Sequence, residues 1–248
     1  FSPAAVFAGA DEAEVPMPAL TAVHLGLWAV LLFGGFFLGK SDARTGRRMP
    51  RWTRLGSSLV LAGAAWLWCL QTPSPVSLLI AAGMTLGLLG DVILAGVVPA
   101  GLPGGMAAFA LGHLAYIAAF LLLGARLGLS ATVVLAAWLV ALLLGGAAWY
   151  FVLFRGRRPT ALHWAALPYA LLLTSTTGVA GGLAAQAPSL WSLALGGVLF
   201  LASDAVLAAR RFHFADFPLI EDFIWLTYGP AQACIVFGSM ALALPPIP

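Results

Sequence analysis

The sequence predicts an all-α protein, a polytopic membrane bundle of about eight transmembrane helices. Three observations predict it. The 248 residues are 62% hydrophobic and only 8% charged, whereas a soluble domain carries about 25% charged residues. The apolar runs are long and show no alternation of period two, which favours helices over a β-barrel. Finally, the basic residues sort to one side of a membrane once eight spans are drawn.

The expected spans cover roughly 20–39, 55–72, 76–95, 104–124, 130–154, 161–186, 190–208 and 222–244. Segments rich in Pro, Gly or charge separate them: Gln71-Thr72-Pro73-Ser74-Pro75, Val98-Pro99-Ala100-Gly101-Leu102-Pro103 and Gln186-Ala187-Pro188-Ser189. Ahead of them, residues 1–19 form an acidic segment with Asp11, Glu12 and Glu14 and without the basic start of a signal peptide. Residues 20–248 are read as a single membrane domain. Cys69 and Cys234 lie in apolar runs, so no disulfide framework is expected.

The charges test the span count. Lys40, Arg44, Arg47, Arg48, Arg51 and Arg54 fall between spans one and two. Arg155, Arg157 and Arg158 fall between spans five and six, and Arg210 and Arg211 between seven and eight. Eight spans put all of these on one side and leave Arg126 alone on the other. The excess of basic residues in cytoplasmic loops then places both termini outside the cytoplasm. The same bias accounts for the net charge of +3, so no nucleic-acid partner is read from it. A composition rich in Ala and Gly, with Arg over Lys, fits a bacterial inner membrane.

Two carboxylates stand out because an ionisable group at membrane depth costs several kcal/mol, so a functional role is the default reading. Asp204 lies in Leu201-Ala202-Ser203-Asp204-Ala205-Val206-Leu207-Ala208, shortly before Arg210 and Arg211. Asp91 lies in Leu88-Leu89-Gly90-Asp91-Val92-Ile93-Leu94-Ala95. Each falls about four residues, or about 6 Å, before the inner end of its span at 1.5 Å per residue. The shared pattern Leu-x-x-Asp-x-x-Leu-Ala, four spans apart, admits two parallel four-helix repeats, or coincidence in an Ala/Leu-rich chain.

Other polar groups fall in the same half of the bundle. His113 and Tyr116 share one face of span four, and Tyr228 and Gln232 share one face of span eight. Two close carboxyls in a poorly hydrated site can hold a single proton near neutrality, which suits Asp91 and Asp204 to acid/base work. Helix capping or pairing with a buried donor would also satisfy them. His113, Tyr116, Tyr228 and Gln232 fit either a cavity lining or interhelical hydrogen bonds. Arg210 and Arg211 fit either a lipid phosphate or plain orientation signalling. The acids Glu221 and Asp222 suit the start of span eight through the helix dipole. No Cys/His cluster or metal-ligand spacing is present. Nucleophile-elbow, Walker and diphosphate motifs are also missing.

Taken together, Gly90-Asp91-x-x-Leu94, Phe109-x-x-x-His113-x-x-Tyr116-x-x-x-Phe120, Phe200-x-x-Ser203-Asp204-x-x-Leu207-Ala208 and Tyr228-x-x-Ala231-Gln232 resemble the YhhN-type lysoplasmalogenase family, in order and with the same span count. The first span and the loop after it match only in character. The resemblance implies hydrolysis of the vinyl ether bond of lysoplasmalogen-like lysophospholipids to a fatty aldehyde and a glycerophospho-headgroup. It implies catalysis by Asp91 and Asp204, and substrate contacts from His113, Tyr116, Ser203, Tyr228, Gln232, Arg210 and Arg211. It implies no cofactor and no metal, with a lysophospholipid and the bilayer as partners. The main competing reading is a proton- or cation-coupled transporter using the two aspartates. A non-catalytic lipid-binding protein is a third.

Overall fold

A computed structural model describes residues 17–42, 46–156, 158–213 and 217–242. The acidic N-terminal segment up to residue 16, Arg44 and Arg157 lie outside these residues.

The described chain is helical with no strands, and its eight long helices fall close to the expected spans. They are α1 (Ala19–Leu38), α2 (Arg51–Gln71), α3 (Pro75–Leu94), α4 (Gly101–Arg126), α5 (Ala131–Phe154), α6 (Ala161–Ala184), α7 (Pro188–His213) and α8 (Ile220–Met240). Seven are long and apolar enough to cross a membrane, which makes this a multi-pass membrane protein. The exception is α8, whose apolar character is diluted by Tyr228, Gly229, Pro230 and Gln232. Those residues face inward rather than toward lipid: Tyr228, Gly229 and Gln232 are all buried.

Helix starts and stops follow local chemistry. Ser74 and Ser77 form a capping box at the start of α3, with Pro75 in its first turn, where a missing N–H costs nothing. At the head of α6, His163 accepts a hydrogen bond from the Thr160 N–H through Nδ1 at 3.2 Å. Two stretches, Val30–Gly34 in α1 and Trp149–Phe154 at the end of α5, are wound as π-helix, a local widening that often accompanies functional sites.

Two helix boundaries correct the sequence reading. Arg51 and Arg54 were expected in the loop after α1, yet they form the first turn of α2. Arg210 and Arg211 were expected in the loop after α7, yet they belong to its last helical turns, so the helix continues well beyond Asp204. Cations are favourable at a helix C-terminus, which lets α7 run on through them.

The helices pair in a regular order. In the first half α1 packs on α2, α2 on α3 and α3 on α4. In the second half α5 packs on α6, α6 on α7 and α7 on α8. The halves meet through α2 with α8 and through α4 with α6, and α8 also packs on α1 and α3. Asp91 lies three residues before the end of α3, and Asp204 nine residues before the end of α7. Glycines on one face of α3 make close approach possible. A Cβ at Gly90 would stand 2.6 Å from the Phe109 ring, and one at Gly87 would stand 2.7 Å from Nε2 of Gln232.

Candidate active site

Asp91 is buried, at 4% exposure, near the end of α3. Its Oδ2 accepts from the Ser58 hydroxyl on α2 at 2.6 Å and from the Tyr228 hydroxyl on α8 at 3.0 Å. The Tyr228 bond has a fixed direction. Gln232 Nε2 donates to the Tyr228 oxygen at 3.1 Å, and Gln232 Oε1 accepts from Tyr116 at 2.7 Å. An amide nitrogen cannot accept, so the Tyr228 hydrogen is left for Asp91. The sequence-predicted residues Tyr116, Gln232, Tyr228 and Asp91 therefore form one directed relay across α4, α8 and α3.

Asp204 is only partly buried. Its Oδ2 accepts a hydrogen bond from Tyr169 of α6, and no other group among the described residues donates to it. Each aspartate thus takes a hydroxyl from the helix before it: Ser58 for Asp91, Tyr169 for Asp204. Neither donor was singled out in the sequence. A lone Ser or Tyr in an apolar helix carries no signal by itself. The spacing from donor to aspartate, similar in the two halves, is the one clue that could have found them.

Two cavities meet at Asp204. One, of about 200 Å³, is the more polar and holds both aspartates together with Arg47, Arg51, Arg54, Arg210 and Arg211. The other, of about 210 Å³, is almost entirely apolar and runs between α5, α6 and α7 past Trp149, Leu153, Ala170 and Leu173. Asp204, Leu102, Leu207 and Arg211 border both.

The remaining predicted residues divide. Ser203, Tyr228, Arg210 and Arg211 line the polar cavity. The Ser203 hydroxyl donates to the Ile224 carbonyl at 3.1 Å, which ties α7 to α8. His113, Tyr116 and Gln232 line neither cavity and form the wall behind it. His113 is buried, pairs through Nδ1 with Thr176 at 2.9 Å, and lies against the Phe200 ring at 4.5 Å between centroids.

The acids at the start of α8 do more than complement its dipole. Glu221 bonds Arg47 at 2.7 Å and Arg210 at 2.8 Å. Asp222 is fully buried and accepts from the backbone N–H groups of Arg48 at 2.7 Å and Met49 at 2.8 Å. Together they fasten the segment before α2 to the ends of α7 and α8, and they fix the arginine-lined mouth of the polar cavity.

A family model for the YhhN family matches residues 51–239. The chain belongs to the YhhN family. The match begins at the first residue of α2 and ends within α8. It contains both aspartates and every predicted site residue, and leaves α1 outside. A search of curated proteins and a search of solved structures each returned no match. Within this YhhN protein the four motifs read from the sequence converge on the aspartates, the relay behind Asp91 and the cavity walls.

Proposed function

We propose that this YhhN protein hydrolyses the vinyl ether bond of a lysoplasmalogen-like lysophospholipid. One observation carries the reading: a single carboxyl, Asp204, borders both an arginine-lined polar cavity and an apolar one. An amphiphile with its tail in the apolar cavity and its headgroup toward Arg210 and Arg211 would present the bond between them to Asp204.

The two carboxyls have different surroundings, and the difference suggests their roles. Asp91 Oδ2 takes two donated hydrogen bonds, one of fixed direction, which hold it in place as an acceptor at the wall of the polar cavity. Asp204 takes one and borders both cavities, so it is the carboxyl placed to meet the bond between headgroup and tail and is assigned the acid role. In the proposed reaction Asp204 gives its proton to the β-carbon of the vinyl ether, leaving an oxocarbenium ion at the α-carbon, a cation comparable to that of glycosidases. Asp91 takes a proton from water, whose oxygen bonds the α-carbon. In the resulting hemiacetal, Asp204 takes the hydroxyl proton while Asp91 returns its own to the departing glycerol oxygen. The aldehyde and the glycerophospho-headgroup leave, and both carboxyls return to their starting states.

The eleven-to-one distribution of basic residues supports a cytoplasmic mouth for the polar cavity, with both termini on the opposite side. The transporter reading loses support from the unequal surroundings of the two aspartates and from the apolar cavity beside Asp204.

The test is aldehyde release from a lysoplasmalogen by the purified protein in detergent. Asp91→Asn and Asp204→Asn are each expected to lower the rate by about 10² to 10⁴-fold, the range for loss of a positioned acid or base. In H₂¹⁸O the label should appear in the aldehyde, and in D₂O one deuterium should appear on the carbon next to its carbonyl. Label in the glycerol oxygen instead would overturn the mechanism. Full activity in both variants would remove the aspartates from the chemistry.

A further inference from the structure

Arg54 is the one buried cation among the described residues, at 8% exposure, and its hydrogen-bonding capacity is unused. Its Nε is buried without a partner, and its guanidinium donates no hydrogen bond to any described residue. The nearest carboxylate oxygen, Oε2 of Glu221, is 4.0 Å from its Nη1, and that carboxylate is already occupied by Arg47 and Arg210. The Trp225 ring lies 5.4 Å from its Cζ and holds the fork in place by a cation–π contact. The guanidinium lines the polar cavity beside Asp91 and Asp204, where four further arginines accompany it.

A guanidinium has five N–H donors in a rigid fork, and a donor held out of water without an acceptor, as Nε is here, is costly unless an anion enters. The fork matches two oxygens of a phosphate, and Arg is preferred for that contact because both oxygens are bound at once. Glu221 cannot serve every cation at this mouth, so the arginines of the polar cavity outnumber the carboxylates that pair with them.

We propose that Arg54 is the phosphate-binding residue of this site, taking two oxygens of the phosphodiester of a single-chain amphiphile whose tail occupies the apolar cavity. The proposal deepens the lysophospholipid reading above and rests on its placement of the amphiphile, but not on vinyl ether cleavage. Arg54 holds the headgroup from inside the helix bundle, while Arg210 and Arg211 flank it at the mouth. Trp225 keeps the fork pointed at the cavity when no anion is bound.

The test measures binding rather than turnover, with ligands that cannot be cleaved. The purified protein is titrated with a saturated 1-O-alkyl lysophosphocholine, with the matching 1-O-alkylglycerol, which lacks phosphate, and with inorganic phosphate. The wild-type protein should bind the phosphate-bearing amphiphile at least tenfold more tightly than the alkylglycerol. Arg54→Gln should abolish that preference while leaving alkylglycerol binding unchanged, which also shows that the variant is folded. Arg54→Lys should restore only part of it. An undiminished preference in Arg54→Gln overturns the proposal. Inorganic phosphate binding as tightly as the lysophospholipid would overturn the amphiphile assignment. If Arg54→Gln fails to fold, a full wild-type preference in Arg54→Lys overturns the requirement for the fork. A protein that cleaves no vinyl ether yet loses phosphate preference in Arg54→Gln refutes the proposed reaction and leaves this inference standing.

Discussion

Tyr169 donates its phenolic hydrogen to Asp204 from the neighbouring helix, and its ring lines the apolar cavity beside that carboxylate. The hydroxyl therefore sets the orientation of Asp204 while the ring shapes the space for a tail. Tyr169→Phe keeps the ring and removes the donor. As Asp204 gives up its proton the bond becomes one to a charged group, which contributes about 1.5–3 kcal/mol, or roughly ten- to hundredfold. The expected result is a fall in kcat of that size with KM nearly unchanged, measured by aldehyde release. An unchanged kcat would show that Asp204 needs no such orientation.

Gly87 is where α3 leaves room for the relay behind Asp91. A Cβ there would stand 2.7 Å from Nε2 of Gln232 and 3.3 Å from the Tyr228 hydroxyl. The first distance is too short for any real contact, so Gly87→Ala must displace the amide that directs Tyr228 toward Asp91. Activity should fall by about tenfold, the scale of one lost hydrogen bond to a charge. Gly26 has open space at its Cβ, so Gly26→Ala is the control and should leave activity intact. Equal activity in the two variants would show that the relay has no part in turnover.

Ala148 lines the apolar cavity just before the π-helical end of α5. Ala148→Phe should shorten the space for a tail. Burying one methylene contributes about 0.8 kcal/mol, roughly fourfold in binding. KM for long-chain substrates should therefore rise several-fold per excluded methylene, while short-chain substrates keep the wild-type KM. A uniform rise at every chain length would place the tail elsewhere.

Asp222 bears on stability rather than catalysis. Its carboxylate accepts two backbone N–H groups in a fully buried position, and Asp222→Ala leaves both unsatisfied. Each lost bond costs about 1–3 kcal/mol, so thermal unfolding in detergent should begin at a clearly lower temperature. Asp222→Asn keeps one acceptor oxygen and should lie between. A wild-type unfolding curve for Asp222→Ala would mean that water satisfies Arg48 and Met49.

The helices were legible because a bilayer demands about 20 apolar residues per crossing, a requirement a sequence displays directly. Asp91 and Asp204 were legible for the opposite reason, since a carboxylate is so costly there that its presence is itself a signal. The order of the motifs also gave the family. Arg54 was hidden because its charge counts equally well as an orientation signal. Only the start of α2 at Arg51 shows that it is drawn into the bundle. Ser58 and Tyr169 were hidden because their importance lies in what they touch across a helix interface. His113 was visible as an unusual residue, but its neighbours Thr176 and Phe200, more than sixty residues away in sequence, place it behind the cavity wall.

The junction at Asp204 also bears on where products would go. The apolar cavity reaches Val152, a residue half exposed on the lipid-facing side of the bundle, whereas the polar cavity ends among arginines near the helix ends. Cleavage at their meeting point would release an aldehyde into the oil phase and a glycerophosphodiester into the aqueous phase. Once parted, the two would not meet again at useful concentration, so the reaction would run one way without a separate energy source. The aldehyde would then pass by lateral diffusion to whatever enzyme consumes it, which favours a membrane-bound successor over a soluble one.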